Sequence, residues 1–290
     1  MQFTTIGIIT KTHTELVSDT LTHLLDYLSS KKCEVLLDES VEDIEHRHNY
    51  RVVSREELGT RCDLAITVGG DGTILNAARS LSDKNVPMVG INIGRLGFLA
   101  DVSPDEIDTV LDAILSGQHI KEERFLLEAR VMRNNSVIFS ADALNDVVVH
   151  VRDVVRMIEF ETHINNQFVS HQRADGLIVS TPTGSTAYAL SSGGPILQSD
   201  LDAITLVPIC PHTLSSRPLV IDSSSEVDIL ISETKQANAQ VTCDGQTSFD
   251  VDVGDHIIIK RKPHMITLLH PQGHSNFDIL RLKLHWNERT

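Results

Sequence analysis

The sequence predicts an α/β N-terminal domain of Rossmann-like type followed by a mainly β C-terminal domain. Early in the 290-residue chain, short apolar runs alternate with amphipathic helical stretches, the pattern of a doubly wound sheet. From about residue 121 strand follows strand, joined by polar turns, with alternation that leaves one face wet. The length allows two cores. The implied domains are residues 1–120, which carry a glycine-rich turn, and residues 121–274. A tail, residues 275–290, is expected to return to the first domain.

Thr4 to Thr10 (TTIGIIT) reads as the first buried strand. Val17, Leu21, Leu24, Leu25 and Leu28 recur at helical spacing, so Glu15 to Ser29 is an amphipathic helix. Val35 to Leu37 is a second strand, and Glu42 to Glu57 is a polar loop or mobile helix. The apolar run Leu64 to Val68 is a buried parallel strand. It meets Gly69-Gly70-Asp71-Gly72-Thr73, and a helix follows from Ile74 to Leu81. Val86 to Ile91 is a further strand, leading into the second glycine turn, Asn92 to Leu99. Ser103-Pro104-Asp105-Glu106 has capping-box spacing with proline at the first helical position. The helix it opens carries Ile107, Val110, Leu111, Ile114 and Leu115 and stops at Gly117.

In the second part, Leu126 to Met132, Val137 to Ser140 and Val147 to Val151 read as strands. Ile158 to Ile164 alternates cleanly, and Asn165-Asn166 is a hairpin loop. Val227 to Ile231, Val241 to Cys243, His256 to Lys260 and Ile266 to Leu269 continue the series, with Asp244-Gly245 as another turn. Within this domain Asp175 to Pro195 is different, being dense in hydroxyls and glycine. Leu177 to Ser180 is a strand, Pro182 and Gly184 make a turn, and Ser185 or Thr186 caps a short helix.

Composition narrows the function. A net charge of −15 argues against a general nucleic-acid or anionic-membrane surface. The four cysteines are scattered without a C-x-x-C pair, which fits reduced thiols in a cytoplasm and no zinc or disulfide frame. The N-terminus enters a strand directly, with no basic leader or long apolar segment. The fourteen histidines form no H-E-x-x-H or comparable ligand set.

Two stretches carry chemistry. In 69–73 a carboxylate sits in a strand-to-helix turn beside backbone N–H groups, where open α/β sheets bind ligands and N–H groups suit phosphate. An aspartate repels phosphate, so Asp71 holds a metal or takes a proton, or else it is a turn residue capping the helix. The 175–195 stretch is a second potential anion site whose small side chains admit a flat ligand, or a Ser/Gly-rich connection with no ligand.

GGDGT (69–73), NIGRLGFLAD (92–101), LND (144–146), DGLIVSTPTGSTAYALSSGGPI (175–196), PHTLSSRPLV (212–221) and DGQ (244–246) together resemble bacterial NAD kinase. GGDGT also occurs in related form in lipid kinases and phosphofructokinases; the 175–196 block is the specific one. The resemblance implies an N-terminal α/β and a C-terminal β domain with NAD between them. It implies transfer of the γ-phosphoryl group of ATP, or of polyphosphate, to the 2′-hydroxyl of the adenosine ribose of NAD, giving NADP. It also implies a divalent metal such as Mg²⁺, and a homodimer or homotetramer; the net charge of −15 adds the expectation of no nucleic-acid or membrane partner. Which residues bind the metal stays unknown.

On that resemblance Asp71 is the base for the 2′-hydroxyl, and the N–H groups of Gly70, Gly72 and Thr73 meet phosphate. No Walker A lysine is present, so this is not a P-loop enzyme. Arg95 either meets a phosphate or is solvated. NAD falls to Asp71, Gly72, Asn145, Asp146, Thr186, Ala187, Tyr188, Ala189, Leu190 and Ser191. Tyr188 packs on the ligand or is a core aromatic. Asp175 matches an aspartate on the nicotinamide-riboside side, often presented across a subunit interface; Arg156, Arg173 and Gln246 are further carry-overs. The chain departs from the family's usual Asn-Glu at Asn145-Asp146. The shorter side chain requires the backbone to move in or a water to bridge. The rivals are a lipid or sugar kinase sharing the GGDGT turn, and a dinucleotide-binding module without catalysis.

Overall fold

The computed structural model describes residues 2–10, 15–41, 49–94, 96–152, 157–232 and 239–286. The elements run β1 (Thr5–Thr10), α1 (Glu15–Ser30), β2 (Glu34–Asp38), β3 (Arg51–Val53), α2 (Arg55–Arg61), β4 (Leu64–Gly69), α3 (Asp71–Leu81), β5 (Met88–Asn92) and α4 (Ile107–Leu115). They continue as β6 (Ile120–Arg133), β7 (Ser136–Ala143), β8 (Asp146–Val151), β9 (Ile158–Ile164), β10 (Gln167–Ala174), β11 (Gly176–Ser180) and α5 (Tyr188–Ser191). The chain then forms β12 (Ala203–Ile209), β13 (Leu219–Asp222), β14 (Val227–Ile231), β15 (Ala239–Cys243), β16 (Thr247–Val251), β17 (His256–His270) and α6 (Asn276–Lys283). Two compact units result: Met1–Glu123 with Ile266–Thr290, and Arg124–Met265.

In the first unit the end of β17 and strands β5, β4, β1, β2 and β3 lie side by side in that order, all parallel. Parallel strands bury both faces, which is why β1 and β4 read as nearly unbroken apolar runs. Ile6, Ile8, Ile66, Val68, Val89 and Ile91 share one core with the apolar stripe of α1 (Val17, Leu21, Leu24, Leu28) and with Ile107, Leu111 and Ile114 of α4. Strand order reverses between β1 and β4, so the carboxyl end of β4 lies at a switch point, where such sheets bind ligands.

Three local readings need correction. Of the polar stretch 42–57, residues 42–48 lie outside the described residues. Its remainder holds strand β3 and helix α2, the latter capped by Ser54 Oγ accepting from Glu57 N at 3.2 Å. Both are too short for a period to show. Ser103 makes no side-chain cap; a 3₁₀ turn over Pro104–Glu106 leads into α4 instead. The separate strands expected at 256–260 and 266–269 are one, β17.

The second unit has two sheets. One runs β10-β9-β14-β17, the other β13-β12-β11-β8-β15-β16, and β6 pairs with β7. Inward residues Phe160, Ile229, Ile257 and Ile259 pack with Val147, Val149, Val179 and Val241 from the facing sheet. Asn134-Asn135 and Asn165-Asn166 have φ between 50° and 63° and close two-residue hairpins, as Asn tolerates left-handed backbone. Strands β10, β12, β13 and β16 were not anticipated: β10 and β16 are polar or exposed along most of their length, and β12 and β13 lack clear alternation. Among the described residues no helix is long and apolar enough to cross a membrane.

Candidate functional site

In the first unit, β4 ends at Gly69, Gly70 is the N-cap of α3, and Asp71 is already its first helical residue. The helix therefore begins three residues before Ile74. The Asp71 side chain does not cap that helix. Its Oδ2 accepts from Phe98 N at 2.8 Å, and its Oδ1 from Leu99 N at 3.0 Å and Ala100 N at 3.2 Å. The two glycine turns thus form one device, since the backbone of the second grips the carboxylate of the first. Gly97 has to be glycine, because a Cβ there would lie 2.0 Å from Asp71 Oδ1. At Gly70 a Cβ would meet nothing within 4 Å, so that side of the turn is open. The Thr73 N–H is committed, donating to Gly70 O at 2.9 Å. Arg95 lies outside the described residues.

The carboxylate has four lone-pair directions, and three are filled by N–H donors. Among the described residues one direction remains, on Oδ2. The arrangement can accept a single proton from a hydroxyl. The same direction can fill one coordination position of Mg²⁺, which binds through one or two carboxylates and keeps several waters.

In the second unit a cavity of about 610 Å³ is lined by Asn145, Asp146, Asp175, Ala187 and Tyr188, together with Val148, His150, Val151, Arg152, Ile209, Thr242, Asp244 and Gly245. Its floor is a clamp. Asp244 accepts from the N–H groups of Leu144 (3.0 Å), Asn145 (2.7 Å) and Asp146 (3.2 Å), and its own N–H donates to Asp146 O at 2.9 Å. Asp146 itself is 5% exposed. Burial first, and the Asp244 charge second, push its carboxyl up to about 7. Near neutral pH it therefore exists in both protonation states and can donate or accept a hydrogen bond.

The hydroxyl-rich segment supports this floor from beneath. Thr181 Oγ1 donates to Leu144 O at 2.5 Å, Ser180 Oγ to Thr181 O at 2.9 Å, and Ser185 Oγ to Pro182 O at 2.6 Å. A Cβ at Gly184 would meet Asn145 O at 2.1 Å. These hydroxyls face inward, and neither Ser185 nor Thr186 caps α5, whose N-cap is Ala187. Ala187 and the half-exposed Tyr188 are what the segment presents to the cavity.

The remaining sequence-predicted residues lie elsewhere. Ala189 is fully buried against Val148, Ile178 and Val207. Thr186 (Oγ1 to Thr183 O, 3.2 Å), Leu190 and Ser191 continue the turn and do not line the cavity. Gln246 closes the hairpin through its N–H to Cys243 O at 3.0 Å. Arg173 is on β10, 3.7 Å from Glu159 on the surface. Arg156 lies outside the described residues, and Gly70, Asp71, Gly72 and Thr73 belong to the first unit.

The sequence reading missed His150, Thr242 and the clamping role of Asp244. Register brings them together: β15 pairs with β8 so that Cys243 faces Val147, Thr242 faces Val148 and Gln240 faces His150. One signal was available, the polar Thr242 between inward-facing Val241 and Cys243, which alternation points to the opposite face.

The chain's first part, residues 6–120, matches the family model of the ATP-NAD kinase N-terminal domain, and residues 144–270 match that of the ATP-NAD kinase C-terminal domain. A curated protein named NAD kinase, from Nitrosococcus oceani, is 50% identical over 287 residues, covering 99% of this chain and 98% of its own. Among solved structures, yeast NADH kinase complexed with NADH superposes with a TM-score of 0.91 at 25% identity, over 100% of this chain and 89% of its own. An NAD kinase from Archaeoglobus fulgidus in complex with ATP gives 0.76 at 26% identity, over 97% and 98%. The glycine turn with its clamped aspartate falls within the first matched region and the aspartate-floored cavity within the second, and with both matched the chain belongs to the ATP-NAD kinase family.

Proposed function

We propose that this protein is an ATP-dependent NAD kinase. The γ-phosphoryl group of ATP passes to the 2′-hydroxyl of the adenosine ribose of NAD: the new O–P bond forms at that oxygen, ADP leaves, and NADP is the product. The cavity is the observation that carries the reading. Among the described residues three carboxylates, Asp146, Asp175 and Asp244, line it with a single arginine, Arg152, which is paired with Asp250 at 2.7 Å. Such a lining disfavours bare phosphate and favours hydroxyls and heterocyclic edges, which suits the nucleoside portions of a dinucleotide. Asn145 and Asp146 bond base and ribose, Tyr188 offers its ring, and Asp175 faces the nicotinamide riboside.

Asp71 is the group that takes the 2′-hydroxyl proton. Among the described residues its Oδ2 keeps one lone pair without a donor while Phe98, Leu99 and Ala100 hold the carboxylate still. Gly70 leaves room for the phosphates of ATP. Mg²⁺ is assigned to the nucleotide as part of the substrate, since this ion is usually held through substrate phosphates and waters with at most one or two carboxylates. Assembly as a homodimer or homotetramer is supported by exposed apolar side chains in the second unit, Phe168, Val169, Leu219 and Val220; sedimentation at assay concentration should show no monomer. The free cysteines Cys33, Cys62, Cys210 and Cys243 support a reducing, cytoplasmic setting.

A second reading, that Asp71 is only a turn clamp, is favoured by its three backbone bonds. Asp71→Asn separates the two. An amide places an N–H group against a backbone donor, so about 1–3 kcal/mol of stability is lost in either case. As a base, Asp71 contributes about 10²–10⁴-fold, so kcat of the folded variant, assayed well below its melting temperature, should fall by that factor with NAD affinity little changed. A folded variant within a few-fold of wild type removes the catalytic role.

A further inference from the structure

A second constellation lies in the first unit. His270 ends β17, and His274 follows after a turn in which Gly273 has φ +91° and His274 N donates to Pro271 O at 3.2 Å. The turn brings the two imidazoles face to face, with centroids 3.8 Å apart and planes 21° apart. Both are almost wholly buried, with side chains 2% and 7% exposed, and Asp101 beside them is 9% exposed.

The hydrogen bookkeeping of this cluster is unusual. His270 Nδ1 and His274 Nδ1 both face the same oxygen, Asp101 Oδ2, at 2.9 and 2.7 Å. His270 Nε2 faces Glu122 Oε2 at 3.1 Å, and His274 Nε2 faces Asn276 Oδ1 at 3.3 Å. Asn276 Nδ2 donates to Glu122 Oε1 at 2.8 Å, which fixes the amide with its carbonyl oxygen toward His274. Among the described residues every neighbour of the four ring nitrogens is therefore an acceptor. A neutral imidazole carries one hydrogen. Placed on Nε2 in both rings, those hydrogens satisfy Glu122 and Asn276, and two bare Nδ1 lone pairs then converge on a carboxylate. Protonating His270 alone fills its two contacts and still leaves one His274 nitrogen bare against an acceptor, and filling all four requires two stacked imidazolium cations in a buried site. One divalent cation removes the conflict with the same total charge. Asp101 Oδ1, buried and without a hydrogen-bond partner, supplies a further donor atom.

We propose that Asp101, His270 and His274 bind a divalent transition metal of the zinc class through the carboxylate and the two Nδ1 atoms. These ligand atoms lie within 4.8 Å of one another. The His-x₃-His spacing is one that zinc sites use, and metal bonds of about 2.0–2.1 Å need the N···O gaps to open only by roughly half an ångström. Glu122 and Asn276 hold the outer Nε2–H groups, the arrangement that orients ligating histidines in metalloproteins. Imidazole with carboxylate selects zinc-like ions over Mg²⁺, so this site is separate from the ion that accompanies ATP. Asp101 directly follows Ala100, whose N–H holds Asp71 at 3.2 Å. A metal here pins the end of the turn that grips that carboxylate.

The test uses the full-length protein after treatment with a chelator, and metal alone. Zn²⁺ followed by calorimetry should bind at one equivalent and raise the melting temperature, and Co²⁺ should develop the visible absorption of a low-coordinate histidine site. His274→Asn and Asp101→Asn should abolish the Co²⁺ band. Glu122→Gln keeps the shape of the cluster and carries the test if the ligand variants unfold; it should weaken Zn²⁺ binding roughly 10–100-fold. No stoichiometric uptake by the wild-type protein, or uptake unchanged in all three variants, overturns the proposal. None of these readouts depends on kinase activity, so failure here and failure of the kinase reading are distinguishable.

Discussion

Asp71 shows how much a single residue can be read from sequence and where the reading stops. Its place in a strand-to-helix turn was legible from the apolar run and the glycines alone. Its hydrogen-bond partners, 27 to 29 residues further on, were not, because backbone N–H groups leave no mark in residue identity. Gly97 is the visible trace of that contact. Gly97→Ala drives a methyl group into Asp71 Oδ1, and displacement by about 1 Å can cost 10²-fold; kcat should fall by about that factor with a lower melting temperature. Gly70→Ala is the control with the opposite expectation. Gly70 has φ −116° and ψ −170°, accessible to alanine, and a Cβ there meets nothing. Stability should change by no more than about 1 kcal/mol, while KM for ATP rises if phosphate approaches this face. An unchanged KM removes Gly70 from the phosphate site.

At the scale of elements, sequence pattern was most informative where one physical rule dominated. Parallel strands appeared as apolar runs, α1 as a helical stripe, and Asn165-Asn166 as a hairpin loop. It failed for α2 and β3, which are too brief to show a period, and it did not reveal that the Ser180 and Thr181 hydroxyls tie the 180–186 turn to residues 144 and 145. That tie is testable. In Gly184→Ala the new Cβ would sit 2.1 Å from Asn145 O and 2.6 Å from Ser180 Oγ. Backbone must move, at a cost of about 1–3 kcal/mol, and Asn145 and Asp146 move with it. The variant should melt earlier and bind NAD more weakly. Weaker melting with intact NAD affinity would show that the cavity floor is held by Asp244 alone.

For the whole molecule, the buried carboxylates set opposing pH dependences, which sequence cannot show because each depends on tertiary partners. Burial pushes Asp38 up, but Arg55 at 2.5 Å and Ser40 outweigh it and hold the carboxyl low. Burial likewise acts on Asp255, where Arg133 prevails through bonds of 2.8 and 2.7 Å. Groups with depressed folded-state values contribute stability above the ordinary carboxylate range and lose it as pH falls through the folded value. Asp146 does the reverse. Its folded carboxyl, pushed up to about 7 by burial and by Asp244, binds more protons folded than unfolded between about pH 4 and 7. Stability therefore declines across that interval as pH rises, and the loss is complete above it. At 1.36 kcal/mol per unit the total is of order 4 kcal/mol. The ligand-free protein should accordingly melt highest on the acid side of neutrality, between the loss of the paired aspartates below about pH 4 and the ionisation of Asp146 toward pH 7. Asp146→Asn is neutral at every pH, so it should leave the melting temperature nearly unchanged near pH 4 and raise it progressively toward pH 8. Calorimetry of both proteins across pH 4–8 checks this; parallel curves would mean that Asp146 is not the buried acid that sets the slope.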